Sequence, residues 1–221
     1  MHLHTRGDPQ DTFIAYTPEK LIDTAVKLKF DVLAITCHNK VLFTKELAAY
    51  ARKRNILLIP GVELTLEKRH VLIYNITEEE RKKLKTFDDL YKIKDHAFIT
   101  APHPYFHLSS VGSKLEEYHD AFDAVEYSHF YCKWINANNK GVRIAKQFSF
   151  PVVGNSDAHH LETFNTCFSL IDAQKTMESV FSAIRKNKVK VKTQPMSTLS
   201  FLAEAAFIAI KVPKHRLQGI Y

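Results

Sequence analysis

Two histidines separated by one residue stand at the start of the chain. Alternate side chains of an extended strand project to the same side, so we expect His2 and His4 to share one face while Leu3 turns away. Two imidazoles on one face could bind one divalent metal ion. Asp8 follows in a short turn and could add an oxygen ligand. Two surface histidines would give the same pattern, so the motif needs support from the rest of the chain.

Further ligand-type side chains occur where short apolar runs, typical of buried parallel strands, begin or end. These residues are His38, Glu63, His70, His103, Asp157 and His159. Imidazoles and carboxylates without a CxxC motif suit zinc, manganese or iron in a catalytic role, with open positions for water. The candidate ligands are too many for one ion, so we expect two or three ions, and Glu63 could bridge through its two oxygens.

Strand-like and helix-like segments alternate along the chain. The apolar runs 32–36, 56–60, 97–101 and 124–127 are separated by helical stripes and capping signals, and a long helix is predicted over 133–147. Such alternation predicts a parallel sheet, and about seven units predict a closed or nearly closed α/β barrel. In such barrels the chemistry lies at the carboxyl ends of the strands. A doubly wound open sheet is the alternative.

The domain organisation predicted from the sequence is simple. We expect one domain over 1–221, because no internal repeat or low-complexity linker divides the chain. A terminal helix is predicted over 197–210, and its apolar face needs cover. Residues 197–221 are therefore expected to form a C-terminal helix and tail packed against the barrel.

Composition restricts the partners and the location. The net charge of +7 favours an anionic partner such as a phosphate ester or nucleic acid, although a lysine-rich solvated surface explains it equally well. No RNA- or DNA-binding motif is present. Three cysteines without a CxxC motif argue against a disulfide framework and favour a cytoplasmic protein. The longest apolar run, 201–210, is interrupted by Glu204 and is too short to cross a bilayer, and nothing indicates the oligomeric state.

The order of these motifs resembles the PHP superfamily, the polymerase and histidinol phosphatase superfamily of metal-dependent phosphoesterases. The resemblance runs from residue 1 to 171 and is carried by His2-Leu3-His4-Thr5, Ile35-Thr36-Cys37-His38-Asn39, Pro60-Gly61-Val62-Glu63, His70, His103-Pro104 and Asn155-Ser156-Asp157-Ala158-His159. It implies a distorted (β/α)7 TIM-like barrel with a trinuclear metal site at the carboxyl ends of the strands.

The resemblance also implies a distribution of ligands among three ions. The first ion takes His2, His4, Glu63 and Asp157; the second takes Glu63, His70 and His103; the third takes Asp8, His38 and His159. Two departures from the family pattern stand out. Cys37 occupies a position where the family usually has aspartate, and it either supports the site or is an inert core residue. Asp8 is closer to His4 than usual, so Asp11 is the alternative ligand of the third ion.

The activity implied by the resemblance is hydrolysis of a phosphomonoester by a metal-activated hydroxide, without a protein nucleophile. The substrate would be a sugar phosphate, a nucleotide or a molecule like histidinol phosphate. Arg6, His129 and His160 are candidates for holding the phosphate or protonating the leaving group, and each could equally be a surface residue.

Three alternatives stay open. An exonuclease or nucleoside-bisphosphate phosphatase of the same family would suit the basic surface. A non-catalytic RNA-binding barrel, like the PHP-like protein subunit of ribonuclease P, is a hypothesis from another functional class, that of binding proteins. Metal-dependent C–N hydrolysis of the amidohydrolase kind also begins with HxH, but that family usually has a carboxylated lysine at a strand end, and none can be assigned here.

Overall fold

In the computed structural model of the protein, residues 1–106 and 108–206 are described. The strands are β1 (Val32–Ile35), β2 (Leu57–Leu66), β3 (Arg69–Tyr74), β4 (Phe98–Ala101), β5 (Ala124–Ser128), β6 (Val152–Asn155), β7 (Cys167–Ile171) and β8 (Val189–Thr193). Strands β1 to β6 form one sheet in sequence order, while β7 and β8 form a separate antiparallel pair. The predicted apolar runs are therefore confirmed as strands.

The main sheet is mixed, and the prediction of a parallel sheet is wrong at β3. Strand β2 is parallel to β1, and β4, β5 and β6 are parallel to one another, but β3 is antiparallel to both of its neighbours. The reason is the two-residue turn Glu67-Lys68, in which both residues have positive φ, because so short a turn can only connect antiparallel strands. Seven repeated β/α units are thus not confirmed, and the fold is a mixed α/β fold with a curled sheet.

The N-terminal segment joins the two ends of this sheet. The backbone N–H of Thr36, next to β1, donates to the Leu3 carbonyl over 2.8 Å. On the other side, the His4 N–H donates to the carbonyl of Ala158, which follows β6, over 3.2 Å. The segment containing the HxH motif therefore closes the sheet where the strands end, and Leu3 is buried against the core.

In the described part of the chain, helices lie around the sheet, and most of them begin at a threonine. Before the helical residues 198–206 they are α1 (Pro18–Lys27), α2 (Lys45–Lys53), α3 (Glu78–Lys83), α4 (Lys114–Glu117), α5 (Asn138–Gln147) and α6 (Met177–Arg185). The hydroxyl oxygens of Thr17, Thr44 and Thr176 accept hydrogen bonds from backbone N–H groups in the first turns of α1, α2 and α6. In the described part of the chain, no helix has both the length and the apolar character needed to span a membrane.

Two predicted helices differ from the structure or extend beyond it. The helix predicted over 133–147 begins five residues later, because the Asn138 side chain bonds both the N–H and the carbonyl of Ser128 and so ties the helix start to the end of β5. Of the terminal helix predicted over 197–210, residues 198–206 are helical. The rest of that helix and the predicted tail lie outside the described residues. Within the helix, Phe201 packs on Phe130 with ring centroids 4.6 Å apart.

Candidate metal centre

Glu63 lies at the middle of a cluster of buried histidines. The sequence indicated that Glu63 follows the end of a strand, but it lies within β2, because that strand continues to Leu66 in the hairpin with β3. One carboxylate oxygen, Oε2, lies 3.2 Å from His2 Nε2, 3.4 Å from His4 Nε2 and 3.0 Å from His38 Nε2. This oxygen therefore faces three imidazole nitrogens that come from two separate segments.

The other oxygen of Glu63 faces a second pair of histidines. Glu63 Oε1 lies 2.9 Å from His70 Nδ1 and 3.1 Å from His103 Nε2. His70 is the second residue of β3 and His103 follows β4, so the pair comes from the opposite side of the strand that carries Glu63. A carboxylate whose two oxygens face different donor sets can bridge two metal ions.

The histidines of the HxH motif both direct Nε2 into the centre. Their other ring nitrogens are held by carboxylates: His2 Nδ1 lies 3.1 Å from Glu126 Oε2, and His4 Nδ1 lies 2.8 Å from Asp8 Oδ2. Asp157 Oδ1 completes this set at 3.2 Å from His2 Nε2 and 3.1 Å from His4 Nε2. A carboxylate on the outer nitrogen is the usual support of a metal-binding imidazole.

The spacing of these atoms fits a metal ion. A tetrahedral ion with bonds of about 2.0 Å places its ligand atoms about 3.3 Å apart, and the contacts among the Nε2 atoms of the HxH motif, Glu63 Oε2 and Asp157 Oδ1 measure 3.1–3.4 Å. His2 Nε2 is also buried and forms no hydrogen bond with any residue that the structure describes. A cation at this position would satisfy that nitrogen.

A further set of donors lies beside His4. Asp11 Oδ2 is 2.8 Å from His159 Nε2 and 3.3 Å from His38 Nδ1. Asp8 is close to the same group, and together His4, Asp8, Asp11 and His38 form a second cluster of potential ligands. A third such cluster comprises His38, Glu63 and His70.

The charges in the centre stabilise one another. Burial alone would raise the pKa of Glu63 and of Asp157, but the surrounding imidazoles, chiefly His2, hold both pKa values well below the ordinary range. Burial alone would lower the pKa of His2, yet the carboxylates around it, chiefly Asp157, raise that pKa well above its usual value. His70 differs, because burial dominates and its pKa is lowered. The protons that the carboxylates hold on imidazoles such as His2 thus occupy positions that a metal cation could take.

The residues predicted to contact substrate lie in different environments. His129 is buried in the loop after β5, its Nδ1 forms no hydrogen bond with a described residue, and burial lowers its pKa although Asp157 acts in the opposite direction. Arg6 and His160 are exposed. The His160 ring lies 6.0 Å from the ring of Phe13, which is 42% exposed.

Cys37 is fully buried next to the centre. Its Sγ lies 3.8 Å from Thr5 Oγ1, and burial raises the pKa of the thiol to about 11. A protonated, buried thiol is chemically inert. The geometry therefore favours the interpretation of Cys37 as an inert core residue over the interpretation that it supports the site.

Glu126 is the residue that the sequence analysis missed. It lies in β5, is 1% exposed and contacts His2. The available signal was an acidic residue within an apolar strand, because a carboxylate is almost never fully buried without a partner. The sequence alone could not identify that partner.

Comparisons with known proteins show where this fold occurs elsewhere. A family model described as PHP-associated matches residues 136–189. A two-domain protein from Bacteroides vulgatus containing a predicted PHP-like metal-dependent phosphoesterase has a similar structure, with a TM-score of 0.68 at 15% identity over 87% of this chain. The chain spans 63% of the length of that protein. A sequence search of curated proteins gives no significant match.

Two further solved structures share the fold. PsfC from Pseudomonas syringae has a TM-score of 0.57 at 14% identity, covering 87% of this chain and 88% of that one. An amidohydrolase from Chromobacterium violaceum, with bound sulfate and no metal, has a TM-score of 0.55 at 14% identity, covering 71% and 85%.

The fold and the cluster identify a mixed α/β protein with a buried centre of histidines and carboxylates that is suited to divalent metals. The chain shares its fold with the Bacteroides vulgatus protein, and residues 136–189 match the PHP-associated family model.

Proposed function

We propose that the protein is a metal-dependent hydrolase of a phosphomonoester. The observation that carries this proposal is the position of Glu63, whose two oxygens face separate groups of histidines at distances of 2.9–3.4 Å. Paired metal sites that share a carboxylate are typical of enzymes that hydrolyse phosphate esters. The name of the Bacteroides vulgatus neighbour supports the same activity.

Two or three ions of zinc, manganese or iron would bind here. The first would be held by His2, His4, Glu63 and Asp157, and the second by Glu63, His70 and His103. For the third, the contacts favour Asp11 with His38 and His159, because Asp11 Oδ2 lies between these two imidazoles. The family resemblance implies that Asp8 binds this ion, and that assignment stays a prediction. We favour Asp11 as the ligand.

When bound, such ions acidify water and neutralise charge on the phosphoryl oxygens. The chain itself contributes orientation and proton transfer. For His129 we propose contact with a substrate oxygen or with the leaving group. Its buried Nδ1, which has no hydrogen-bonding partner among the described residues, supports this role, as does Asp157, which acts to raise its pKa. Arg6 and His160, both exposed, are further candidates for binding phosphate.

The alternatives are weighed by particular features. The intact set of potential ligands argues against a non-catalytic RNA-binding barrel. Amidohydrolase chemistry has a structural neighbour in its favour, but no lysine is buried among the described residues, so a carboxylated lysine ligand has no candidate. The net charge of +7 keeps an exonuclease or nucleoside-bisphosphate phosphatase as the second candidate.

The test is an assay of the purified protein with Mn²⁺ or Zn²⁺ on an aryl phosphate and on short RNA, combined with measurement of bound metal. We expect His103→Ala to abolish turnover without unfolding the protein, since it removes a donor 3.1 Å from Glu63. His96→Ala is the matched control, because that imidazole is 43% exposed and pairs only with the surface carboxylate of Glu80 among the contacts described.

The outcomes separate the candidates. An unchanged rate in His103→Ala would remove the site assignment. Turnover of RNA without turnover of the monoester would favour the nuclease, and RNA binding without any turnover would favour the non-catalytic barrel.

A further inference from the structure

We propose that Glu126 is a positioning residue of the metal centre, which orients His2 and anchors the loop of His103 with a single carboxylate. This inference rests on the proposed function, since it concerns how the ligands of that centre are held. Glu126 would not itself bind an ion. It would act through the two histidines that belong to the first and the second metal position.

The first contact fixes the His2 ring. Glu126 Oε2 and Oε1 lie 3.1 Å and 3.3 Å from His2 Nδ1. Because an ionised carboxylate can only accept a hydrogen bond, Nδ1 must carry the proton. The opposite nitrogen, Nε2, then has its lone pair free on the side of Glu63 and Asp157, where it could bind a cation, when the imidazole is neutral.

The second contact anchors the backbone beside a ligand. The N–H of His103 donates to the same oxygen, Glu126 Oε2, over 3.2 Å. His103 has a φ of +28°, a region that a residue with a side chain rarely adopts and that the surrounding contacts must hold. Its neighbours Pro102 and Pro104 have no N–H to contribute, so the His103 N–H is the backbone donor available at this point of the loop.

The burial of Glu126 argues for a functional role. Removing a carboxylate from water is expensive, and well-packed apolar residues would stabilise a strand at least as well. Glu126 is nevertheless 1% exposed, at the middle of β5, with Val125 fully buried beside it. The two groups that it contacts explain its position, because one is the imidazole of His2 and the other is the backbone N–H of His103.

The residue just before this strand offers a matched control. Asp123, just before β5, accepts the backbone N–H of Ile99 over 2.8 Å and pairs with Arg185 over 2.8 Å. It thus ties the β4 segment to β5, as Glu126 does, but no imidazole is among its described partners. Asp123→Asn removes one negative charge from a comparable backbone tie without touching the proposed centre.

The experiment compares Glu126→Gln, Glu126→Ala and Asp123→Asn with the unaltered chain. Binding of Mn²⁺ to chelator-treated protein is followed by the electron paramagnetic resonance of the free ion, and the His2 tautomer is read from imidazole ¹⁵N shifts. We expect both Glu126 variants to bind Mn²⁺ 10- to 100-fold more weakly. We expect Asp123→Asn to bind like the unaltered chain.

The tautomer provides a readout that a purely structural role would not change. The tautomer is read in the metal-free chain at a pH high enough for the His2 ring to be neutral. In the unaltered chain the single proton is expected on Nδ1, and in Glu126→Ala a mixture of the two tautomers is expected. Glu126→Gln retains the size of the side chain, so it carries the binding test if the alanine variant fails to fold. If neither variant folds, the tautomer of the neutral ring in the unaltered chain decides, and a single proton on Nε2 would overturn the inference.

The two proposals fail in different ways. If the unaltered chain binds no Mn²⁺ or Zn²⁺, the proposed function fails. If the unaltered chain binds Mn²⁺ and the Glu126 variants bind it equally well, only the role of Glu126 is wrong.

Discussion

Asp8 and Asp11 stand three residues apart, and their carboxylates have different partners. Asp8 accepts hydrogen bonds from the backbone N–H groups of Gln10, Asp11 and His38 at 2.9–3.1 Å, in addition to its contact with His4 Nδ1. Its oxygens are therefore used in shaping the loop. Asp8 Oδ2 also lies 3.2 Å from His38 Nδ1, whereas Asp11 Oδ2 lies 3.3 Å from that nitrogen and 2.8 Å from His159 Nε2.

These contacts predict different results for Asp8→Asn and Asp11→Asn. Asparagine at position 8 replaces one acceptor oxygen with an NH₂ group that faces backbone donors, so we expect a loss of at least about 2 kcal/mol in the free energy of unfolding of the metal-free protein. Asp11→Asn should change that free energy by less than about 1 kcal/mol and should lower the number of bound ions by one. Urea unfolding and metal analysis of the two variants measure both effects.

A result with the roles exchanged would contradict this assignment. If Asp8→Asn removed an ion while the metal-free protein kept its stability, Asp8 would be the ligand, as the family resemblance implies.

For single residues, the sequence indicates which side chains are candidate ligands and their order along the chain, but not the role of each one. His2, His4 and Asp157 were identified because HxH spacing and strand ends are visible in a sequence. The choice between Asp8 and Asp11 was not, since it depends on which backbone N–H groups the turn directs at each carboxylate. Glu126 was missed because its contact with His2 spans 124 positions.

The elements differ from the prediction where local and long-range signals conflict. The apolar run 56–60 was recognised, but β2 continues for six more residues because it changes partner, from β1 in its first half to β3 in its second. A parallel sheet was predicted from the alternation of strands and helices, and that rule cannot anticipate a hairpin without glycine. The turn Glu67-Lys68 lacks the usual Asn-Gly or Asp-Gly signal.

The packing of the β7–β8 pair on β6 depends on one glycine. A Cβ at Gly154 would lie 2.8 Å from the Phe168 carbonyl oxygen and 2.8 Å from Val191 Cγ1. Since a backbone atom cannot move aside alone, Gly154→Ala should lower the free energy of unfolding by about 1–3 kcal/mol. Urea unfolding at constant metal concentration measures the change.

The control for this prediction is Gly141→Ala in α5. A Cβ there would lie 3.0 Å from Pro104 Cγ and 3.7 Å from Val125 Cγ1, both side-chain atoms, and alanine favours the helix by about 1 kcal/mol. We expect a change of less than about 1 kcal/mol. Equal losses in the two variants would show that the β7–β8 contact is not specially constrained at Gly154.

Across the whole molecule, the candidate ligands come from segments at both ends of the sheet. His2 and His4 lie in the segment that joins β1 to the chain after β6, Glu63 lies in β2, and His103 follows β4. A binding site formed by such residues exists only in the folded state, so binding of an ion adds to the free energy of unfolding. At a metal concentration 100-fold above the dissociation constant the gain is about 2.7 kcal/mol, which is about 5–10 °C in Tm for a chain of this size.

This stabilisation should grow as the pH rises, and the sign follows from the buried ion pairs. In the metal-free protein, Glu63 and Asp157 have lowered pKa values, so their contribution to stability is present above their ordinary values near 4 and is lost only in strong acid. His2 and His38 have pKa values raised well above 6.5, so their contribution is present below that pH and is lost as the pH rises through the raised values. Above neutrality the carboxylates therefore lose their protonated partners, and a metal ion no longer competes with protons for the imidazoles.

We accordingly expect the difference in Tm between Zn²⁺-loaded and chelator-treated protein to be larger at pH 8.5 than at pH 6, as measured by thermal unfolding at both values. His103→Ala should reduce the difference at both pH values, whereas His96→Ala should leave it unchanged, because only the first of these imidazoles contacts Glu63. A difference that shrinks with rising pH would mean that the imidazoles do not bind the ion, because protons and metal would then not compete for the same nitrogens. In that case the stabilisation would have to come from carboxylates alone. The position of Glu63 between two groups of histidines would then not support the proposed hydrolase.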